Sequence, residues 1–198
     1  MHGAVALLLA AAVAGCGRGT MEAPSASSSN TLPPDVRGRR VMVLPVQAEA
    51  GVGGDADAEL TFALSTRESG VDWVFRASLE SSLERSPGLG ARTTGLPVGM
   101  FLRREVSRIG DPLYGDLRRL GALVDADVAL IPVVVVPGEM DENGMVALET
   151  SAAMIDVRSG RVLWFGVVAG EPGELESPGV LASAMDRLAR RLLWYVGG

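Results

Sequence analysis

The apolar and polar residues of this chain fall into three successive patterns. Residues 3–15 form an apolar core of about ten residues, which fits an export signal and is too short to span a bilayer. Residues 17–38 are rich in Gly, Ser, Ala and Pro and have no hydrophobic period, which predicts a flexible tether. From residue 39 the apolar periodicity returns, so we assign residues 39–198 to one folded domain.

The first half of this domain predicts three strands followed by three helices. The predicted strands are the apolar run Arg39–Val46, a stretch with alternating Leu60, Phe62 and Leu64, and Val71–Phe75. The predicted helices are Ala77–Ser86, a short one that carries Leu102, Val106 and Ile109, and one that begins with Asp111 as N-cap and Pro112 in its first turn.

The second half predicts an antiparallel meander and a final helix. Its strands are Ala126–Val136, Met145–Val157 and Arg161–Glu171, joined by turns at Asp141–Gly144 and at Arg158–Gly160. The last helix runs from Gly179 to Tyr195, with one apolar face. We therefore expect an α+β domain with a single mixed, largely antiparallel sheet and helices packed mainly on one face.

The apolar run at the N-terminus ends in Val13-Ala14-Gly15-Cys16, which resembles a bacterial lipobox. The resemblance implies a signal peptide over residues 1–15, cleaved before Cys16. The Cys16 sulfur would then carry a diacylglyceryl group and its amine a fatty acyl chain such as palmitate. Residues 16–38 would join this anchor to the domain. An ordinary signal peptide followed by an incidental cysteine is the alternative.

The residue after the cysteine bears on localisation. Gly17 is not the Asp that retains such lipoproteins at the inner membrane of enteric bacteria. We therefore expect the outer membrane, with the domain facing the periplasm. The outer face of the cytoplasmic membrane and the cell surface are the alternatives.

Composition excludes many kinds of chemistry. Of the 198 residues, the only His is His2, the only Cys is Cys16, and all 18 basic residues are Arg. The domain therefore has no catalytic Ser-His-Asp triad, no Cys-His pair, no Lys Schiff base and no His-ligated metal. The formal net charge is −6 and no basic stripe is present, which argues against a nucleic-acid partner. We expect no cofactor and see no small-molecule substrate in the sequence.

Three segments resemble the TolB amino-terminal-like periplasmic domains, whose related folds include CsgG and LpoB. Val41–Val46 (VMVLPV) resembles their first strand, Ala126–Leu130 their "GAD" strand, and Asp156–Trp164 their "D…TG.V.W" hairpin. The resemblance covers roughly residues 39–197. It implies an α+β envelope lipoprotein that is not an enzyme and docks onto another protein.

Four groups of residues are candidates for a functional site, and each also has a structural interpretation. Asp55, Asp57 and Glu59 fit either a calcium loop or a solvated acidic loop. The arginines could bind an anion or form solvent-exposed helix faces: Arg103, Arg104, Arg108, Arg118 and Arg119. The tryptophans could bind sugar or pack in the core: Trp73, Trp164 and Trp194. Asp141 and Glu142 could be glycosidase carboxylates or turn residues. In each case we favour the structural interpretation.

The sequence as a whole favours a membrane-anchored lipoprotein that acts as a non-catalytic interaction or accessory module in the cell envelope. Its expected partners are the membrane, through the lipid on Cys16, and an envelope protein. Two alternatives remain open: a carboxylate-dependent enzyme that acts on cell-wall glycan, and a subunit of a secretion or pore assembly.

Overall fold

The computed structural model describes residues 31–103 and 106–196. Cys16, the predicted signal peptide and Arg104 lie outside these residues. Among the described residues, no helix combines the length and the apolar character needed to cross a membrane.

One five-stranded sheet forms the centre of the domain, with strand order β2-β1-β3-β4-β5. The strands are β1 (Arg40–Val43), β2 (Asp72–Val74), β3 (Val128–Met140), β4 (Val146–Asp156) and β5 (Val162–Ala169). The helices are α1 (Ala56–Ser65), α2 (Arg76–Glu84), α3 (Leu113–Val124) and α4 (Pro178–Leu192), with short 3₁₀ turns at Pro87–Leu89 and Val98–Met100. β1 is parallel to β2 and β3, whereas β3, β4 and β5 form an antiparallel meander. The predicted α+β class, the single mixed sheet and the meander are confirmed.

The helices cover both faces of the sheet, although we expected them mainly on one. Successive strand residues point to opposite faces, and in β1 Val41 and Val43 pack with α1 and α4, whereas Met42 packs with α2 and α3. The same division continues along β3 and β4. The central strands are therefore apolar on both sides, which explains their uninterrupted Val, Leu and Ile runs.

The predicted strand around Leu60, Phe62 and Leu64 is wrong, because these residues lie in helix α1. Leu60 and Leu64 are buried and one helical turn apart, while the side chain of Phe62 is 66% exposed. Asp55 caps the helix by accepting a hydrogen bond from the backbone N–H of Ala58 at 2.9 Å. The apolar residues thus follow the helical period rather than the period of two.

The predicted helix with Leu102, Val106 and Ile109 is also not formed in the described residues. The segment instead contains the 3₁₀ turn Val98–Met100, and its end runs beside the start of β5. There the N–H of Ile109 donates to the oxygen of Gly160 at 2.8 Å, and the N–H of Val162 donates to the oxygen of Ser107 at 2.9 Å. The backbone of this segment therefore forms hydrogen bonds with the edge strand of the sheet instead of hydrogen bonds within a helix.

α4 packs against α1 and along strands β4 and β5 of the sheet. Gly170 follows β5, and a Cβ atom at this position would lie 2.7 Å from the backbone nitrogen of Ala184. Only glycine allows the helix to approach this closely. From there α4 runs to Leu192, with Met185 and Leu188 fully buried.

Candidate functional site

The acidic residues at the start of α1 hold the local fold together. Asp55 caps the helix, and Asp57 Oδ1 accepts a hydrogen bond from the N–H of Val46 at 2.7 Å. Asp57 Oδ2 forms a salt bridge with Arg76 at 2.8 Å, and Glu59 lies in the first helical turn. Over residues 31–103 and 106–196, no three acidic, His or Cys side chains are grouped so that they could hold a metal ion.

Glu49 adds a further carboxylate near this helix start. Its backbone forms a parallel bridge with Val135 of β3. Burial raises the pKa of Glu49, and the nearby Asp57 and Asp55 carboxylates raise it further. Because each of these effects disfavours the charged form, Glu49 takes up a proton more readily than an isolated glutamate.

Two of the five candidate arginines line an open groove along α3. This groove, with a volume of about 650 Å³, is lined by Leu89, Asp111, Tyr114, Gly115, Arg118, Arg119, Ala122 and Leu123. Arg119 forms a salt bridge at 2.6 Å with Asp116, which is 2% exposed and also lies 3.5 Å from Arg92. Arg103 and Arg108 do not line the groove. Of the four candidate arginines that the structure describes, only Arg118 and Arg119 therefore share a groove, and these four do not form one anion site.

The three tryptophans lie in separate surroundings. Trp73 is on β2 and Trp164 on β5, which are opposite edges of the sheet. Trp73 donates to Ser69 Oγ at 3.2 Å and stacks on Phe75. Trp194 lies just after α4. A common sugar platform is therefore not formed. Packing is the role that the structure supports for Trp73 and Trp164, whereas Trp194 is 45% exposed.

Asp141 is a turn residue. Its Oδ1 accepts hydrogen bonds from the N–H groups of Asn143 at 2.8 Å and Met145 at 2.9 Å, which closes the loop between β3 and β4. Glu142 is exposed at the tip of the same turn. This pair therefore stabilises a hairpin rather than facing a substrate cleft.

The sequence did not predict that residues 31–37, the N-terminal strap, contact the domain. The indole N–H of Trp164 donates to the oxygen of Thr31 at 3.1 Å, and that of Trp194 donates to the oxygen of Pro33 at 2.9 Å. Val36 is 1% exposed and belongs to the core below α1 and α4. The Leu32-Pro33-Pro34 run was the one available signal, since it is less polar than the segment before it.

The last residues of the strap pack on the end of α4. The Arg37 guanidinium lies 4.9 Å from the centroid of the Tyr195 ring and forms a salt bridge with Asp35. Hydrogen bonds from the Arg37 side chain and backbone hold the pKa of Asp35 below its usual value. Burial raises the pKa of Tyr195, and the Asp35 carboxylate raises it further.

The opposite end of the domain is formed by the distal hairpin, residues 137–148. β3 pairs with β1 only at Val128–Leu130 and continues to Met140, so the hairpin extends beyond β1. Met140 is 68% exposed and Met145 37% exposed. The 170–177 loop lies beside it through a bridge between Val146 and Gly173.

The distal hairpin and the neighbouring loop are also acidic. Within the part of the chain that the structure describes, none of the carboxylates at this end takes part in a salt bridge: Glu139, Asp141, Glu142, Glu171, Glu174 and Glu176. By contrast, the last turns of α4 carry Arg187, Arg190 and Arg191. The two ends of the domain therefore differ in charge.

No family model matches the chain, and no curated protein matches it. Solved structures do. The chain is similar to the LpoB C-terminal domain from Salmonella enterica, with 15% identity and a TM-score of 0.41 over 72% of this chain and 86% of that one. Lipoprotein GNA1162 from Neisseria meningitidis shares 16% identity with a TM-score of 0.45 over 72% and 90% of the two chains.

A third similar structure is the PelC dodecamer from Paraburkholderia phytofirmans, with 16% identity and a TM-score of 0.44 over 82% of this chain and 94% of that one. LpoB thus occurs both among these structures and in the group that the sequence motifs resemble. At these identities and TM-scores, the similarities carry no argument about function. What the chain does is therefore inferred from its own residues.

Proposed function

We propose that this chain is a lipoprotein, anchored through Cys16, whose α+β domain is a non-catalytic interaction module facing the periplasm. The observation that carries the proposal is the apolar run that ends in Val13-Ala14-Gly15-Cys16. A lipid on this cysteine would hold the domain at a membrane, because each buried methylene of an acyl chain contributes about 0.8 kcal/mol.

The arrangement of the domain supports this proposal. The strap leads back to Cys16, so we call the end of the domain that it contacts the attachment end. At this end the strap accepts a hydrogen bond from Trp164 of β5. Trp164 pairs with Met154 of β4, and Met154 pairs in turn with Leu130 of β3. Met140 lies ten residues further along β3. At about 3.3 Å per residue, the distal hairpin is therefore on the order of 30 Å from the attachment end. An anchored domain of this shape presents its exposed methionines away from the membrane.

The chemistry available to the domain also favours binding over catalysis. After Cys16 the sequence has no His, Lys or Cys, so common general bases and nucleophiles are missing. The carboxylates proposed as alternatives, Asp141 and Glu142, lie in a turn where Asp141 binds backbone N–H groups. A protein surface is thus the ligand that the exposed residues suit best.

The anchor is tested by replacing Cys16 with Ala. We expect the Cys16→Ala chain to lose the acyl mass in intact-protein mass spectrometry and to leave the outer-membrane fraction, either as a soluble form or as unprocessed precursor. Ser28→Ala, a change in the same polar segment, is the matched control and should keep both lipid and fractionation. Normal processing and membrane fractionation of Cys16→Ala would refute the proposal.

A further inference from the structure

We propose that the attachment end of the domain rests on the membrane through an apolar patch formed by Leu32, Trp194 and Val196. These side chains would enter the headgroup region of a phospholipid bilayer. The proposal rests on the lipid anchor at Cys16 proposed above and adds a second contact with the same membrane.

The patch is exposed and is fixed to the domain. Leu32 is 51% exposed, Trp194 45% and Val196 37%. The indole N–H of Trp194 donates to the oxygen of Pro33, the residue after Leu32, which keeps the ring beside the strap. Val196 is held by a hydrogen bond from its N–H to the oxygen of Leu193 at 2.8 Å. A half-exposed tryptophan beside aliphatic side chains is typical of residues at a membrane interface.

Charge distribution favours the same orientation. Arg187, Arg190 and Arg191 lie in the last two turns of α4, before Trp194, and Asp186 neutralises one of these charges through its salt bridge with Arg190 at 2.6 Å. Arg191 also donates to the oxygen of Thr31 at 3.1 Å, so it is held at the strap. Basic side chains are attracted to anionic headgroups within a Debye length of the surface. The acidic distal hairpin would be repelled from the same surface.

The length of the segment between Cys16 and the strap brings the membrane within reach of the patch and favours it as the occupant. Fourteen residues, 17–30, separate Cys16 from the strap. Their Gly- and Ser-rich composition predicts a root-mean-square reach of about 20 Å. β3 has 13 residues and is on the order of 40 Å long, which is more than this reach, and the distal hairpin lies at its far end. A lipid on Cys16 therefore keeps the patch, and not the distal hairpin, close to the bilayer.

The test measures how near Trp194 lies to lipid. The processed full-length protein is mixed with vesicles of phosphatidylethanolamine and phosphatidylglycerol whose acyl chains are brominated, and tryptophan quenching is recorded. We expect strong quenching that Trp194→Phe removes, because Trp164 is 4% exposed and Trp73 lies on the far edge of the sheet. The double variant Leu32→Ser/Val196→Ser should reduce quenching about threefold.

Phe62→Ser is the matched control, since Phe62 is 66% exposed on α1 and should leave quenching unchanged. Mass spectrometry of the same sample reports whether Cys16 is acylated. If it is not, added vesicles still test the patch, so the two proposals fail separately. Absence of quenching of Trp194 would overturn the membrane contact. A dimer that Leu32→Ser/Val196→Ser dissociates would overturn it too, by assigning the patch to a second copy of the chain.

Discussion

At the scale of single residues, Asp57 connects three segments that are distant in the sequence. It lies in the first turn of α1, accepts from the N–H of Val46 after β1, and pairs with Arg76 at the start of α2. Its side chain is 17% exposed. A carboxylate with two partners at this depth stabilises the fold more than a surface ion pair does.

Replacing Asp57 with Ala should lower the free energy of unfolding by about 1–3 kcal/mol, because the N–H of Val46 loses its acceptor in a partly buried position. The measurement is urea unfolding, with an unchanged slope and a lower midpoint. Glu59→Ala removes a charge from the same helical turn and should cost less than about 0.5 kcal/mol. Equal losses in the two variants would show that the Asp57 bonds contribute little.

The tryptophans show what the sequence could and could not predict at this scale. Packing was the favoured role for Trp164 and Trp194, and both indole N–H groups are bonded within the domain. Their acceptors were not predictable, since they are backbone oxygens of Thr31 and Pro33, 133 and 161 positions away. Backbone acceptors carry no side-chain signature, and the strap has no hydrophobic period.

At the scale of elements, the sequence predicted correctly those strands and helices whose apolar residues fit a single period. The β3–β4–β5 meander and α4 were predicted because turn residues and long apolar faces agree there. α1 was mistaken for a strand because Leu60, Phe62 and Leu64 also satisfy a period of two. The sequence signals for a helix were Asp55, a residue type common at N-caps, and Ala63, an apolar residue three positions after Leu60. If only large apolar residues are counted, Ala63 is left out and the apolar face of the helix is not recognised.

The turn between β4 and β5 should make stability depend on pH. Asp156 Oδ1 accepts from the hydroxyl of Ser159 at 2.7 Å and from its N–H at 2.8 Å. The hydroxyl bond makes the largest contribution to holding the pKa of Asp156 below 3.8, although desolvation opposes it. Because the folded pKa is lowered, this stabilisation is present above about pH 4 and is lost as pH falls through the folded value.

Ser159→Ala should therefore lower the free energy of unfolding by about 1 kcal/mol at pH 7, and the difference from the natural chain should shrink below about pH 4. Urea unfolding at a series of pH values measures both effects. Ser78→Ala on the exposed side of α2 is the control and should shift stability by the same amount at every pH. A Ser159→Ala effect that is independent of pH would contradict the assigned role of Asp156.

At the scale of the whole molecule, the class of fold was predictable but the distribution of helices was not. The order of elements indicates an α+β domain, and the structure confirms it. Placing α1 and α4 on one face and α2 and α3 on the other depends on the β1–α1–β2 connection. The sequence predicts a strand in place of α1. Because parallel strands require a crossover between them, the parallel pairing of β1 with β2 could not be predicted without this helix.

The proposed role also predicts where a partner contacts the domain. A photo-crosslinking amino acid in place of Met140, in cells that process the chain normally, should join it covalently to an envelope protein, since Met140 is 68% exposed on the distal hairpin. The same substitution at Phe62, exposed on the flank of the domain, is the control. Adducts are separated by mass on a denaturing gel. A defined adduct from Phe62 with none from Met140 would place the partner elsewhere.

The strap also determines where mechanical force enters the domain. If the partner pulls on the distal hairpin while the lipid holds Cys16, tension reaches the chain first at Thr31 and Pro33. There it is carried by Trp164, Arg191 and Trp194, before any load reaches β1. The acceptors of these three bonds, Thr31 and Pro33, precede β1 and take no part in the strand pairing. Breaking the bonds would therefore free the first residues of the strap while Val36 stays in the core. The strap would then detach and lengthen under load first, which limits the force that the partner and the membrane exert on the sheet.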